Sequence, residues 1–266
     1  MTVAVVGHVE WAEALRVDRL PRAGEIAHGE AAWSVPAGGG GVTAVLLGRL
    51  AGEVDLFTAL GDDELGRRAH DALERLGVRV HAAWRDHPQR RALVHLDGGG
   101  ERAITVVGRR AGPAGDDDLP WDLLEGAGAV YVTAGDPAAV ANARRAEALV
   151  ATARALGSLR GTGVLVDALV ASATDPGERY DAGDLDPEPT RVLRTEAAAG
   201  GSWQGAGGGG RWEAASPPGP LVDSFGCGDA FAAGVTHGLA AGLDVAAAVQ
   251  EGARAGAACA ARSGPY

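Results

Sequence analysis

The residues best suited to chemistry lie near the carboxyl end of the chain, in the segment Val222-Asp223-Ser224-Phe225-Gly226-Cys227-Gly228-Asp229. Small residues lead directly into a predicted helix, so the backbone N–H groups of Gly226, Cys227 and Gly228 point beyond its first turn. Unpaired N–H groups and the helix dipole favour an anion there. Asp229 stands beside the same point and is placed to accept a proton from a hydroxyl group. An anion cradle beside a base suits phosphoryl transfer.

Local features alone leave a simpler interpretation open for this segment. An ordinary glycine-rich turn with Asp229 as a helix cap is compatible with the same sequence. Taken alone, the segment favours that simpler interpretation. A second glycine-rich segment, Gly38-Gly39-Gly40-Gly41, precedes a predicted helix over residues 44–50. Glycines let a polar ligand approach the backbone closely. A flexible loop without a ligand is an equally good interpretation of this second segment.

Elements that could position these residues alternate between strands and helices along the chain. Predicted strands cover residues 3–6, 54–60, 129–133, 163–167 and 191–195. Predicted helices cover residues 62–76, 138–156, 229–239 and 245–262. This alternation indicates an α/β fold, with a mostly parallel sheet covered by helices on both faces.

Two segments break the alternation, at about residues 15–35 and 78–107. Each contains short predicted strands without a long helix, and the second has a hairpin turn at Asp97-Gly98-Gly99-Gly100-Glu101. We interpret both as parts of a small β-sheet lid on a single domain that spans residues 1–266. The segment 200–219 is rich in glycine and proline and is predicted to be a hairpin or loop.

Composition excludes several classes of protein. The net charge of −11 makes bulk attraction to nucleic acid or to an anionic membrane surface improbable. All 24 basic residues are arginine, which excludes the P-loop lysine and Schiff-base chemistry. The two cysteines lie in no CxxC pattern, so neither a disulfide scaffold nor a structural zinc site is expected. No apolar run is long enough to span a membrane and no signal peptide is recognisable, so a cytoplasmic location is expected.

The order and context of these motifs resemble the ribokinase-like (PfkB) carbohydrate kinase family. The resemblance runs over nearly the whole chain and includes the Leu20 to Glu25 turn, the Gly38 to Gly41 run and Gly61-Asp62-Asp63-Glu64-Leu65-Gly66. Its most specific part is Asp223 to Asp229, which is similar to the second family signature. The resemblance implies a three-layer α/β/α ribokinase-like sandwich with a mostly parallel central sheet and a β-sheet lid.

The resemblance also implies roles for individual residues. Asp229 would be the catalytic base, and Gly226, Cys227 and Gly228 would form the anion hole for the transferring phosphate. ATP and Mg²⁺ would be the cofactors, with a monovalent cation such as K⁺ as an optional addition near Asp223. The remaining implied cofactor positions are Thr195, Gly200 and Gly264 for the nucleotide and Asp175 and Glu178 for the metal. Asp175 stands where the family has asparagine, an exchange that a hard cation tolerates.

The acceptor site departs further from the family pattern. Val42 and Ala12 stand where related sugar kinases have polar residues, and neither can bind a hydroxyl. The replacements that we consider from the residues are polar groups near the first glycine run and in the lid, with Trp11 or Trp33 as a stacking surface. The candidate acceptor residues are Glu10, Gly38, Gly39, Gly40, Gly41, Thr43 and Arg91, with Glu13, Arg16 and His95 as further polar groups.

The sequence therefore predicts ATP-dependent phosphorylation of a primary hydroxyl on a small sugar, sugar acid or nucleoside. The alternative is a metabolite- or nucleotide-binding sensor on the same fold without turnover. A Rossmann oxidoreductase is disfavoured because Gly7-His8-Val9-Glu10-Trp11-Ala12 lacks the dinucleotide fingerprint. Lid strands with open edges favour a homodimer through the lid.

Overall fold

The structure is a computed structural model that describes residues 2–266. Its strands, in chain order, are β1 Val3–Val6, β2 Glu10–Val17, β3 Gly29–Ala37, β4 Asp55–Gly61, β5 Arg79–Arg85, β6 Arg91–Leu96, β7 Arg102–Val107, β8 Ala129–Val132, β9 Ala148–Thr152, β10 Ala168–Ser172, β11 Val192–Thr195, β12 Gly201–Gly205 and β13 Gly208–Trp212. Its α-helices are α1 Gly38–Ala51, α2 Glu64–Arg75, α3 Pro137–Ala143, α4 Leu156–Leu159, α5 Cys227–Ala240 and α6 Val245–Ala260.

The central sheet has nine strands in the order β13-β12-β11-β10-β9-β8-β1-β4-β5. All pairings from β11 to β5 are parallel, and the β12–β13 hairpin adds two antiparallel pairings at one edge, β11 with β12 and β12 with β13. Alternate side chains of β1 enter two separate cores: Val3 and Val5 pack on one face, and Ala4 and Val6 on the other. Since successive side chains of a strand point to opposite faces, the sheet is covered on both sides. The α/β/α sandwich is confirmed.

The helices that matter for function begin at the carboxyl edge of this sheet. The Gly38 to Gly41 run is itself the first turn of α1, which packs against α5. Helix α5 begins at Cys227 after Gly226, whose left-handed φ of 87° brings its Cα against the Pro265 backbone. A β-carbon at Gly226 would lie 2.5 Å from the Pro265 carbonyl oxygen, so only glycine fits this approach.

A second sheet of four strands, in the order β3-β2-β6-β7, stands beside the first. Strands β2 and β6 pair in parallel at the centre. Strands β3 and β7 are the two edge strands, and each pairs with its neighbour in the antiparallel direction. We call this sheet the lid. On β2 and β6 the side chains of Ala12, Ala14, Ala92 and Val94 are buried, so this face packs inward.

The lid boundaries differ from those that the sequence suggested. Arg79–Arg85 is not a lid strand: it pairs in parallel with β4 as the edge of the central sheet. The segment predicted over residues 78–107 therefore divides, and its lid part begins at Arg91. The first lid strand also begins earlier, at Glu10 instead of residue 15.

The long helix predicted over residues 138–156 is wrong. Helix α3 ends at Ala143, and the chain returns as strand β9 over Ala148–Thr152. Leu149 and Ala151 enter one core and Val150 the other, which is the alternation of a strand and not of a helix. An alanine-rich composition resembles a helix in sequence, but burial on both faces decides the outcome. The strand predicted over residues 163–167 instead begins directly after that segment and covers Ala168–Ser172.

Within residues 2–266, none of the helices is long and apolar enough to cross a membrane. The predicted hairpin in the 200–219 segment is present as β12 and β13.

Candidate active site

The candidate site lies at the carboxyl ends of the parallel strands, under the lid. Five parallel strands of the central sheet, β1, β8, β9, β10 and β11, each place a polar residue at this edge. These residues are His8 after β1, Thr133 after β8, Arg154 after β9, Asp175 after β10 and Thr195 at the end of β11. Parallel α/β sheets bind ligands at this edge because every strand ends there.

The floor of the site is the first turn of α1. The Gly40 N–H donates to the His8 carbonyl at 3.0 Å, which brings the helix start against the end of β1. A β-carbon at Gly40 would lie 2.7 Å from that oxygen, and one at Gly7 would lie 2.2 Å from the Thr133 hydroxyl. The glycines at these places are therefore required by backbone contact, and they leave the floor without side chains.

Asp229 lies directly over this floor. A β-carbon placed on Gly39 would stand 3.5 Å from Asp229 Oδ1 and 3.5 Å from His8 Cε1. Burial, with the nearby carboxylate of Glu178, raises the pKa of Asp229 from 3.8 to about 7, although Arg102 and Arg154 act in the opposite direction. A carboxyl group with this pKa can accept a proton near neutral pH and release it again, as a general base must. The side chain nevertheless remains partly open to solvent.

The predicted anion hole lies at the beginning of α5. A β-carbon on Gly228 would meet no atom within 4 Å, so its backbone faces open space beside Asp229. The N–H groups of a first helical turn have no intrahelical acceptor. The Cys227 N–H makes a long contact of 3.4 Å with the Ser224 carbonyl. A hydrogen bond to Cys259 is the main cause that lowers the pKa of the Cys227 thiol.

The buried carboxylate of Asp223 braces this turn. Its Oδ1 accepts from the Phe225 N–H at 3.0 Å, and its Oδ2 accepts from the Gly264 N–H at 3.0 Å. The Arg16 guanidinium, from lid strand β2, approaches the same Oδ2 at 3.4 Å. Where the resemblance implies a monovalent cation near Asp223, this structure thus brings an arginine. Gly264 lies here as a brace of the turn, with the Trp33 ring close to its Cα.

The lid reaches the anion turn at a second place. Arg102, the first residue of β7, donates to the Ser224 carbonyl at 2.8 Å and to the Ser224 hydroxyl at 3.1 Å. In return, the Gly100 carbonyl of the β6–β7 turn accepts from the Ser224 N–H at 3.1 Å. The lid is therefore closed in this structure and forms part of the wall around the anion turn.

Polar side chains from the lid and the sheet line the far side of the floor. Glu10 is buried and accepts from Arg90 Nε at 2.6 Å. His8 is buried as well, and its Nδ1 accepts from Arg110 at 3.2 Å. Burial is the main cause that holds the pKa of His8 well below its ordinary value, and Arg110, Arg90 and Arg154 contribute. His8 is therefore neutral.

The predicted metal residues, Asp175 and Glu178, lie together at the end of β10. Both face Arg154, whose NH2 donates to Asp175 at 2.6 Å and whose Nε donates to Glu178 at 3.0 Å. No group of three or more potential ligands gathers anywhere in residues 2–266. Two adjacent carboxylates are the kind of ligand that Mg²⁺ accepts alongside waters and substrate phosphates, and the ion would replace Arg154 as their partner. Their charge reaches Asp229, since Glu178 helps to raise the pKa of that group.

The predicted nucleotide residues occupy the other end of the cleft. Thr195 ends β11, and its hydroxyl donates to the Ala171 carbonyl at 3.3 Å. Gly200 begins the β12–β13 hairpin with a φ of 84°, where a β-carbon would lie 2.1 Å from the Trp212 carbonyl oxygen. Gly200 is thus needed for the backbone conformation and close packing of the hairpin that borders this end of the cleft.

Three predicted acceptor residues lie elsewhere. Thr43 is fully buried in α1, and its hydroxyl has no hydrogen-bond partner in the part of the chain described. Arg91 pairs with Glu13 at 2.6 Å on the outward face of the lid. Strand alternation explains this placement, since Arg91 is one residue out of phase with inward-facing Ala92. Trp11 packs in the core, with the Arg68 guanidinium 4.8 Å from its ring centre.

Sequence reasoning missed several groups that the structure brings to the cleft: His8, Arg90, Arg110, Thr133 and Arg154. None of them lies in a recognisable motif. The available signal was positional for two of them, since His8 and Thr133 each follow a predicted strand or lie near its end. Arg154 fell inside the helix predicted over residues 138–156, so its position gave no such signal. Lysine is missing from the chain, so arginines in or beside the lid were the remaining candidates for the cationic side of the cleft.

Comparison with known proteins identifies the family of this chain. The model of the "pfkB family carbohydrate kinase" matches residues 2–179 and 182–266. An ATP-dependent ribose-1-phosphate kinase of Halopiger xanaduensis is 30% identical over 98% of this chain and 93% of its own length.

Solved structures share the fold at lower identity. A microbiome-derived acarbose kinase superposes with a TM-score of 0.82 at 23% identity, over 99% of this chain and 94% of its own. Arabidopsis thaliana ribokinase, complexed with ribose and ATP, gives a TM-score of 0.74 at 20% identity, over 98% and 93% of the two chains. The family model covers nearly the whole chain, and the chain therefore belongs to the pfkB family of carbohydrate kinases.

Proposed function

We propose that this protein transfers the γ-phosphoryl group of ATP to a primary hydroxyl of a small sugar, sugar acid or nucleoside. The observation that carries the proposal is the position of Asp229. Its carboxyl group lies between the open backbone of Gly228 and the glycine floor of α1, with a pKa raised to about 7 by burial. A hydroxyl resting on that floor would have a base on one side and the anion turn beyond it.

In the proposed reaction, the acceptor oxygen forms a bond to the γ-phosphorus and the bond to the leaving ADP oxygen breaks. Asp229 accepts the hydroxyl proton as this bond forms. The N–H groups of Gly226, Cys227 and Gly228 would stabilise the charge on the transferring group, with the positive end of α5 behind them. The closed lid excludes water from the same space, which suppresses transfer to water.

Asp175 and Glu178 would hold Mg²⁺, which supplies charge neutralisation to the phosphates when it is bound. The residues themselves contribute two carboxylates that Arg154 holds side by side. Thr195 and the β12–β13 hairpin border the place where the nucleotide would lie. The name of the Halopiger xanaduensis relative supports both ATP as donor and a sugar as acceptor.

The first test is acceptor-dependent ADP formation by the purified protein with Mg²⁺ and ATP. A panel of ribose, ribose 1-phosphate, sugar acids and adenosine would cover the proposed classes. Asp229→Asn should reduce the rate roughly 10²–10⁴-fold because the base is lost while the shape is kept. Asp122→Asn, at an exposed aspartate in the 3₁₀ turn before β8, is the matched control and should leave the rate unchanged.

The alternative function, a sensor without turnover, predicts a different result in the same experiment. A sensor would bind nucleotide or acceptor and release no ADP above the rate without acceptor. Equal rates in Asp229→Asn and the unaltered protein would contradict the assignment of the base, whatever acceptor is phosphorylated.

A further inference from the structure

The cleft contains an unusual concentration of arginine for a chain with a net charge of −11. Arg90, Arg102, Arg110 and Arg154 all act electrostatically on His8 or Asp229. Their partners differ. Arg90 is paired with the carboxylate of Glu10, Arg154 with two carboxylates, and Arg102 with the oxygens of Ser224.

Arg110 differs from the paired arginines because no carboxylate lies within 4 Å of it in residues 2–266. Its guanidinium donates to neutral His8 Nδ1 at 3.2 Å and to the Thr133 carbonyl at 2.8 Å. Burial and the repulsion of Arg90 lower the pKa of Arg110, and Glu10, which already holds Arg90, opposes them only in part. A partly desolvated cation with neutral partners gains most from an anion that binds beside it.

There is room for such an anion. Arg110 lines a cavity of about 280 Å³ that also contacts Ala134, Gly135 and Ser158. Asp136 lines the cavity too, but its Oδ1 accepts from the Gly115 and Ala139 N–H groups at 2.9 and 2.7 Å as the cap of α3. The residue is exposed along its length while its guanidinium is partly buried against His8 and Thr133, so a ligand can still reach the N–H groups that these partners leave free.

The cavity adjoins the place where the acceptor would lie. His8, which accepts from Arg110, comes within 3.5 Å of the point above Gly39 that Asp229 also approaches at 3.5 Å. An acceptor on the glycine floor would thus have Asp229 at one end and the His8–Arg110 pair at the other. Nε and Nη2 of Arg110 already donate to His8 Nδ1 and to the Thr133 carbonyl, so Nη1 is the group left to donate to a phosphate or carboxylate. The guanidinium charge strengthens that hydrogen bond.

We propose that Arg110 binds an anionic substituent of the acceptor, at the end remote from the hydroxyl that Asp229 activates. The proposal rests on the proposed kinase function and narrows its acceptor to a sugar that already carries a phosphate or carboxylate. A phosphate monoester and a carboxylate each supply the negative charge and the acceptor oxygen that Nη1 of Arg110 can bind, and the binding experiment below distinguishes them. Arg110 is thus the group that selects charged acceptors over neutral ones.

Equilibrium binding without ATP tests this proposal separately from turnover. Calorimetry would compare ribose 1-phosphate, ribonate and ribose as probes on the unaltered protein. Ribose 1-phosphate should bind at least tenfold more tightly than ribose, since a charged hydrogen bond is worth about 1.5–3 kcal/mol. Tighter binding of ribonate alone would assign the anion as a carboxylate and support the same role for Arg110.

Substitution assigns the effect to the residue. Arg110→Gln should weaken ribose 1-phosphate roughly 10–100-fold and change ribose less than twofold. Arg110→Lys should recover part of the loss because it keeps the charge. Arg109→Gln removes the same charge one position away, at an exposed residue, and should change neither ligand.

Two results would overturn the proposal: equal binding of ribose and both anionic probes by the unaltered protein, or equal weakening of charged and neutral ligands in Arg110→Gln. Tight, Arg110-dependent binding with no ADP formation would instead sustain the anion subsite and contradict the kinase assignment. ADP formation with neutral acceptors alone would do the reverse. The thermal unfolding midpoint of each variant checks that the chain is folded.

Discussion

At the scale of single residues, the site depends on carboxylates held in contrasting surroundings. Asp223 is enclosed by two N–H donors and Arg16, and these contacts brace the anion turn. Asp229, six residues later, has no such donors and is left near the carboxylate of Glu178. Burial without compensation raises the pKa of Asp229, which suits a group that must take up a proton.

The raised pKa of Asp229 gives the reaction a pH dependence. Only the deprotonated carboxylate can act as base, so the rate should fall as pH decreases through about 7. Below that point we expect about a tenfold loss for each pH unit. Initial rates at saturating ATP and acceptor, from pH 5.5 to 9, would measure this. A rate that stays constant down to pH 5.5 would contradict it.

Unfolding provides an independent readout of the same pKa. A carboxyl whose folded pKa is raised from 3.8 to about 7 costs stability increasingly as pH rises between these values. The cost is complete above about 7 and absent below about 4. Asp229→Asn should therefore unfold at a higher temperature than the unaltered protein at pH 8, and the difference should shrink towards pH 5.

Sequence alone could propose Asp229 and the anion turn because both lie in one continuous motif. It could not identify Arg110 or His8, whose roles come from contacts between distant parts of the chain. Arg110 follows the lid, His8 follows β1, and only the fold brings them within 3.2 Å. Arg91 was predicted instead because sequence does not fix which face of β6 turns inward.

At the scale of elements, the turn between β4 and α2 connects the central sheet to the base of the lid. Asp63 caps α2 by accepting from the Gly66 N–H at 2.8 Å, and its second oxygen accepts from the Gln89 N–H at 2.9 Å. The buried Gln89 side chain accepts from the Gly61 N–H at 2.9 Å and donates to the Val9 carbonyl at 2.8 Å. Gln89 immediately precedes Arg90, so this network sets where β6 begins.

Removal of this side chain should affect both folding and binding. Gln89→Ala leaves the Gly61 N–H and the Val9 carbonyl buried without partners, which costs about 1–3 kcal/mol of unfolding free energy. Urea unfolding would measure the loss. The Michaelis constant for the acceptor should rise as well, because Arg90 and Glu10 lose their fixed position.

The matched control for Gln89 is Gln204→Ala, at an exposed position of strand β12. It should leave the urea midpoint unchanged. An unchanged midpoint in Gln89→Ala would show that water or a neighbouring group replaces the missing hydrogen bonds.

The elements also set a limit on what sequence could predict. Strand β9 and its neighbours α3 and α4 appear in sequence as one alanine-rich helix, because alanine suits helices and buried strands alike. The distinction arises only when Leu149 and Val150 meet different cores on the two faces of the sheet. Elements bounded by clear signals, such as the Asp63 cap of α2, were predicted to within two residues.

At the scale of the whole molecule, the lid leaves two open edges and an apolar strand. Ile104, Val106 and Val107 of β7 are 44%, 40% and 50% exposed. On the outward face of the lid, Leu15, Ala32 and Leu93 line a groove of about 230 Å³. Exposed strand edges with apolar side chains readily pair with another chain. We expect a second copy of this protein to cover the lid.

Light scattering coupled to size exclusion should give twice the 26.8 kDa chain mass at micromolar concentration. Val107→Lys should return the protein to a monomer, because a charge at this position would be buried in the interface. Leu123→Lys alters an equally exposed leucine away from the lid and should leave the mass unchanged. A monomer mass for the unaltered protein would contradict a lid-to-lid dimer.

The contacts of Arg16 with Asp223 and of Arg102 with Ser224 have a consequence for the order of events. Lifting the lid to admit an acceptor would break both contacts. The surroundings of the anion turn are then incomplete for as long as the entrance is open. ATP bound before the acceptor would lie in an incomplete, unreactive site. Closure of the lid over the acceptor would then complete the site. We therefore expect the protein to hydrolyse ATP only slowly in the absence of acceptor, because the acceptor enters with the lid open and reacts with the lid closed.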